Sequence, residues 1–300
     1  MKAVSDRLLE GAIDVHAHSY PEYTLSVNPR LNNIEWAQLA KERGMRGILL
    51  KSSVWPTMMQ AYDIKQLVDD IEIMGSIVLN FTVGGLSPTA VAIAGEMGAK
   101  AVFMPTWSAQ NDINKSGATL NRLRKVCASI DDMIKTAGGG ITVLDGNGKL
   151  KPEADEILDV AKSYNMYIAS GHLHIDESIV YAEAAARKGV RFSLTHPHNT
   201  TIGATPEQQK YIAQTGGYVE QTFVQCMPMH LRVNPKDIAH SIEVVGVSNT
   251  ILATDSIAPW NPPAPEVMRM FIESMLHLGF SEEEISIMVK ENPAKILDLD

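Results

Sequence analysis

The chain has 300 residues, 45% of them hydrophobic and 20% charged, and its 26 basic against 35 acidic side chains leave a formal net charge of −9. That composition supports a sizeable globular core and argues against nucleic acid, whose phosphates call for a basic face; the nearest basic cluster, Arg122, Arg124 and Lys125, reads as a solvated helix face. No run of about 18 apolar residues exists to span a membrane, residues 1–11 lack the apolar centre of a secretory signal, and two cysteines are too few for a disulfide scaffold, so a cytoplasmic protein is expected.

Along the chain, short apolar runs alternate with helical stretches. The run at 12–15 leads to a predicted helix over 34–43, with Asn33 as its cap and Gly44 as its stop. Runs at 47–50, 76–79 and 101–104 lead to helices over 58–73, 88–97 and 120–136. Gly138, Gly139 and Gly140 precede a strand-like 141–144 and a turn at 145–148, which together read as a small hairpin. A helix over 153–164 precedes the run at 167–169. Runs at 191–194, 218–219 and 251–253 alternate with helices over 178–188, 206–215, 236–245 and 266–278. One or two closing helices over 281–299 start from Ser281 and Glu284, which resemble a capping box. Continuous Ile, Val and Leu runs suit parallel strands buried on both faces. Eight of them, alternating with helices, predict a (β/α)8 TIM barrel as one α/β domain over residues 1–300. A doubly wound sheet is disfavoured because its nucleotide fingerprint is missing.

In such a barrel the C-terminal ends of the strands point into the active-site mouth. The polar residues there are His16 and His18, Lys51, Asn80, Thr106, His172, His196, Glu220 and Asp255. The chain has nine histidines, and four of them fall at these ends. Residues two apart on a strand face the same side, so His16 and His18 can reach one cation. Two further imidazoles and the Asp255 carboxylate complete a nitrogen and oxygen set suited to a divalent metal, zinc first, with manganese or iron as alternatives. His174 and His198, each two beyond a strand-end histidine, are further candidates to touch substrate, as are Asn80 and Thr106. Trp55, Trp107 and Trp260 are read either as pocket walls or as packing.

The HxH ending strand one, the single histidines ending strands five and six and the aspartate ending strand eight resemble the ligand pattern of the amidohydrolase superfamily. Here these are His16, His18, His172, His196 and Asp255. The segments GILLKSS, IVLNFTVGGLSP, VFMPTW, SGHL, LTHPH and ENPAKIL look like a subgroup labelled a domain of unknown function. The resemblance implies hydrolysis of an amide, cyclic amide, lactone or ester by a metal-activated water, with Asp255 as general base. One departure stands out. Binuclear members carry a carboxylated lysine or a glutamate at the end of strand four, where this chain has Met104, Pro105 and Thr106. Lys51, ending strand two, is read three ways: carboxylated and bridging two metals, free as a catalytic acid or substrate anchor, or paired with Glu220. Glu220 is itself a candidate ligand for a second metal, so one or two metals per chain are open. A metal-dependent decarboxylase without the bridge is the alternative reaction, and a phosphoesterase a weaker one. The expected partner is a small-molecule substrate, with homo-oligomers compatible with the fold.

Overall fold

Short runs of Ile, Val and Leu with helices between them cannot hydrogen-bond to themselves, so they pair side by side and place helices on the outer face. The computed structural model describes residues 2–26, 31–230, 232–257 and 260–299. It contains β1 (Ile13–His18), β2 (Gly47–Lys51), β3 (Glu72–Val78), β4 (Ala99–Phe103), β5 (Tyr167–Ala169), β6 (Phe192–Thr195), β7 (Tyr218–Thr222) and β8 (Thr250–Ala253). The strands pair in parallel and in sequence order. The seam between β8 and β1 is joined by backbone: the Asp255 N–H donates to His16 O (2.8 Å) and the His18 N–H to Ser256 O (3.3 Å).

Asp14 strengthens this seam. Its buried carboxylate accepts from the Thr254 hydroxyl (2.5 Å), the Thr254 N–H (3.1 Å) and the His16 N–H (3.1 Å). Burial nevertheless pushes its pKa up, because desolvation disfavours the charged form. Inside the barrel lie Ile13, Val15, Leu49, Met74, Phe103 and Ile251, with Ile296 and Leu297 of the last helix, Asn292–Leu297, in the same cluster. Larger apolar layers fill the space between the strands and the surrounding helices. Each such side chain contributes about 1.5–3 kcal/mol relative to exposure.

Several helices differ from the sequence expectation. The helix predicted to run to residue 73 spans only Met58–Lys65, because Glu72 already begins β3. Residues 120–136 form two helices, Ala118–Val126 and Ile130–Thr136, and both pack apolar side chains around Trp107. Asn32 rather than Asn33 caps the helix Asn33–Glu42, in a capping box with Glu35. Asn33 instead exchanges two hydrogen bonds with the backbone of Tyr20 (2.7 and 2.8 Å), pinning the loop that leaves β1. Helices Val4–Leu9 and Gln110–Asn114 were not expected. Near residue 145, Leu144 and Leu150 form an antiparallel bridge around a turn held by the Asp145 carboxylate. Ser281 and Glu284 form a capping box.

Candidate metal centre

His16 and His18 leave β1 on one side, and the chain turning out of β8 returns Asp255 towards them. Asp255 holds φ at +50° and His196, at the end of β6, holds +35°. Non-glycine residues seldom adopt this region, and aspartate and histidine tolerate it better than most. The result is a close group: Asp255 Oδ1 lies 3.1 Å from His16 Nε2 and 3.2 Å from His18 Nε2. Ligand atoms of the three residues all fall within 4.8 Å of one another. Donors held at 2.0–2.2 Å on one zinc ion would be separated by comparable distances, so the group fits a cation.

Behind the imidazoles stand three carboxylates, of which only Glu220 is visible in the sequence as a strand-end residue. Glu220 Oε1 lies 2.6 Å from His16 Nδ1 and Glu22 Oε1 lies 3.0 Å from His18 Nδ1. Asp112 bonds His172 Nδ1. A carboxylate on Nδ1 fixes the tautomer that leaves Nε2 free to ligate. Glu22, four residues after His18, carried a faint signal as an acid in the same loop. Asp112 carried none, since it lies 60 positions from its partner on a helix that periodicity did not reveal.

His172 and His196 form the opposite wall. Their rings are 4.9 Å apart, and His196 is 5.8 Å from His16; neither joins the close group. His172 is positioned by a sharp approach of the loop after β5. Gly171 has φ +59°, and a Cβ there would meet Met104 O at 2.2 Å, while the His172 N–H donates to Pro105 O (2.9 Å). A second glycine makes room for its partner, because a Cβ on Gly117 would lie 2.1 Å from Asp112 Oδ1. His196 Nδ1 is buried without a hydrogen-bond partner. Burial and the nearby His172 hold its pKa well below the usual value.

Lys51 is 2% exposed, with Nζ 2.8 Å from His16 Nε2 and 4.9 Å from the Phe103 ring centroid. Burial lowers its pKa and so favours the neutral amine. Lys51 therefore pairs with His16, not with Glu220, which stands on the far side of the same ring; the geometry gives Glu220 the task of orienting His16 and leaves it outside the close group. Burial and Lys51 depress His16, yet Asp255 and Glu220 outweigh them and raise its pKa to about 9. Burial alone would raise Asp255, but His16 and His18 hold its carboxyl well below the carboxylate range.

His18, Lys51, Thr106, His172, His196 and Asp255 line a cavity of about 360 Å³. Asn80 is absent from its lining. Its amide is consumed by Ser53 O and the Thr106 hydroxyl, while its oxygen accepts from the Thr106 N–H and from Ser108. It thus positions Thr106 and does not face a ligand. His174 also lies outside, capping the helix Ile175–Lys188 by accepting from the Asp176 N–H, and His198 is turned to Ser241 (3.1 Å). Both lie beyond their strand ends, Ala169 and Thr195, where the two-residue alternation that pairs His16 with His18 no longer applies. Trp107 is buried packing whose Nε1–H donates to Ser53 O, and Trp55 and Trp260 are exposed and off the cavity wall.

The strand order and closure define a (β/α)8 barrel with its candidate site at the C-terminal ends of the strands. Residues 11–220 match the family described as "Family of unknown function (DUF6282)", and the chain belongs to that family. Among solved structures it is similar to an amidohydrolase from Pseudomonas aeruginosa, at 12% identity and TM-score 0.59 with 98% of each chain covered. It is also similar to a mutant organophosphorus hydrolase from Deinococcus radiodurans, at 14% identity and TM-score 0.59, covering 98% of this chain and 93% of that one. A TatD homolog from Escherichia coli aligns at 12% identity and TM-score 0.56, covering 96% and 98%. These likenesses establish a shared barrel fold. No curated protein matches the chain by sequence. Among the described residues no helix is long and apolar enough to cross a membrane.

Proposed function

We propose that the protein is a metal-dependent hydrolase acting on an amide, cyclic amide, lactone or ester of a small molecule. His16, His18 and Asp255 hold a divalent cation, zinc first and manganese or iron as alternatives, and His172 and His196 complete the site from the facing wall. The observation that carries this reading is the Asp255 oxygen 3.1 and 3.2 Å from two Nε2 atoms, with a carboxylate on each Nδ1 behind them. A bound cation would supply Lewis acidity towards a water and the scissile carbonyl. Asp255, ionised and at the cavity wall, accepts the proton of that water and returns it to the leaving group. Lys51, buried and favoured as the neutral amine, stands ready to hold a proton at Nζ beside His16. Thr106, fixed by Asn80, offers its hydroxyl to the substrate.

A decarboxylase is the second reading. It is favoured by one observation: β4 sends no bridging side chain to the site, since Met104 is buried in the core and the Thr106 hydroxyl is bonded to Asn80. The test is acid release from a panel of lactones, cyclic amides and esters, alongside carbon dioxide release from aromatic and β-keto acids. The expected outcome is hydrolysis that disappears on chelation and returns with one divalent metal. Hydrolysis at full rate after complete metal removal would overturn the proposal.

A further inference from the structure

Beyond the metal-ligating end, the cavity has a second wall whose chemistry is different. Lys115 and Arg122 line it, carried by the segment between β4 and β5. Arg122 belongs to the cluster that reads as a solvated helix face in the sequence, but the helix divides that cluster. Arg124 turns outward to Asp131 (2.8 Å), whereas Arg122 turns to the cavity with its guanidinium 5.8 Å from the Trp260 ring centroid. Lys115 is fixed by one donation to Thr201 O (2.7 Å), and an ammonium has three donors to give. Among the described residues, neither Lys115 nor Arg122 forms an ion pair with a carboxylate, although lysines and arginines elsewhere in the chain do.

The charge balance of the cavity reverses that of the chain. Its lining includes Lys115 and Arg122 against the single carboxylate of Asp255, in a protein of net charge −9. Asp255 is already engaged by His16 and His18, so nothing on the wall neutralises Arg122 and Lys115. Cationic groups gathered in a concave site focus the field and raise the local concentration of anions. A guanidinium also presents a planar fork that matches a carboxylate.

We propose that the substrate carries a carboxylate of its own, bound by Arg122 and Lys115 while its scissile bond lies at the His18 and Asp255 end. The substrate class is therefore an amide, lactone or ester of a carboxylic acid, hydrolysed to a product with one more acidic group. This rests on reading the cavity as a metal-dependent active site. Arg122 and Lys115 act as specificity determinants and take no part in bond cleavage.

The test is calorimetric titration with glutarate, with its neutral analogue glutaramide and with inorganic phosphate. It uses the protein as purified and after chelation, whose metal content is measured alongside. The variants are Arg122→Gln, Lys115→Gln and, as a control on the same helix but off the cavity wall, Lys125→Gln. The wild type should bind glutarate at least about tenfold more tightly than glutaramide, before and after chelation. Arg122→Gln should weaken glutarate by about tenfold or more and Lys115→Gln by about three- to tenfold, as expected for lost charge-assisted hydrogen bonds. Neither should alter glutaramide, and Lys125→Gln should match the wild type. Glutarate binding indifferent to Arg122, or lost entirely on chelation, would overturn the proposal, as would tighter binding of phosphate through the same two residues. Glutarate binding that depends on Arg122 in a protein that holds no cation as purified and takes up none when zinc, manganese or iron is added would instead overturn the metal reading and leave the carboxylate wall standing.

Discussion

The two halves of the barrel mouth are built to different tolerances. On the β1 and β8 side, His16, His18 and Asp255 sit within 4.8 Å, tied by the backbone bonds that close the barrel. On the β5 and β6 side, His172 and His196 face each other across 4.9 Å, and His196 Nδ1 lacks a partner. The seam residues cannot separate without breaking barrel closure, whereas on the other side only His196 is held by a neighbouring strand, its N–H donating to Glu220 O (3.0 Å), and His172 is placed by the loop after β5. The difference teaches that a ligand set is preassembled where strand pairing itself fixes the spacing.

Removing the preassembled half should have the largest effect. The His16→Ala/His18→Ala protein should keep its barrel by circular dichroism yet lose essentially all bound metal by elemental analysis. Retention of wild-type metal would show that the other wall holds it. Asp255→Asn should come next, leaving most of the metal bound and lowering turnover by about 10²–10⁴-fold, the usual weight of a general base. Wild-type turnover in that variant would remove Asp255 from the mechanism. Lys51→Ala sharpens the comparison differently. With three close donors sized for one cation, we expect unchanged metal content and a marked loss of turnover. Loss of half the metal would mean instead that Lys51 is carboxylated and bridges two cations, with added short carboxylic acids restoring part of the activity.

What the sequence makes legible follows the same division. The eight strands are legible because continuous apolar runs have no better place than a parallel sheet, and His16, His18, Lys51 and Asp255 because strand ends converge in a barrel. The orienting carboxylates are not, because Asp112 and Glu220 meet their histidines only through tertiary packing. Glu220 was legible as a mouth residue, but its position behind His16 depends on which way β7 presents it. His174 and His198 show the limit from the other direction. Both lie past the ends of β5 and β6, at Ala169 and Thr195, where spacing no longer says which way a side chain points. Arg122 was hidden among neighbours of like charge, and only the rotation of its helix separates it from Arg124.

The smallest expected effect compares the carboxylates behind the two walls. Glu220→Gln removes the charge 2.6 Å from His16 Nδ1 but keeps the side chain's size. His16 belongs to the close group, so its basicity and tautomer bear directly on cation binding, and loss of such a partner typically costs about 10–100-fold in metal affinity. Asp112→Asn makes the same chemical change behind His172, which stands outside that group. It should cost less than about tenfold, because a looser imidazole there can turn without disturbing the three donors across the cavity. Competition with a chelating indicator measures both constants, and thermal melts of the chelated proteins separate loss of metal affinity from loss of fold. Equal losses would mean that His172 ligates as strongly as His16 once a cation is present, and that the mouth closes around the metal from both sides.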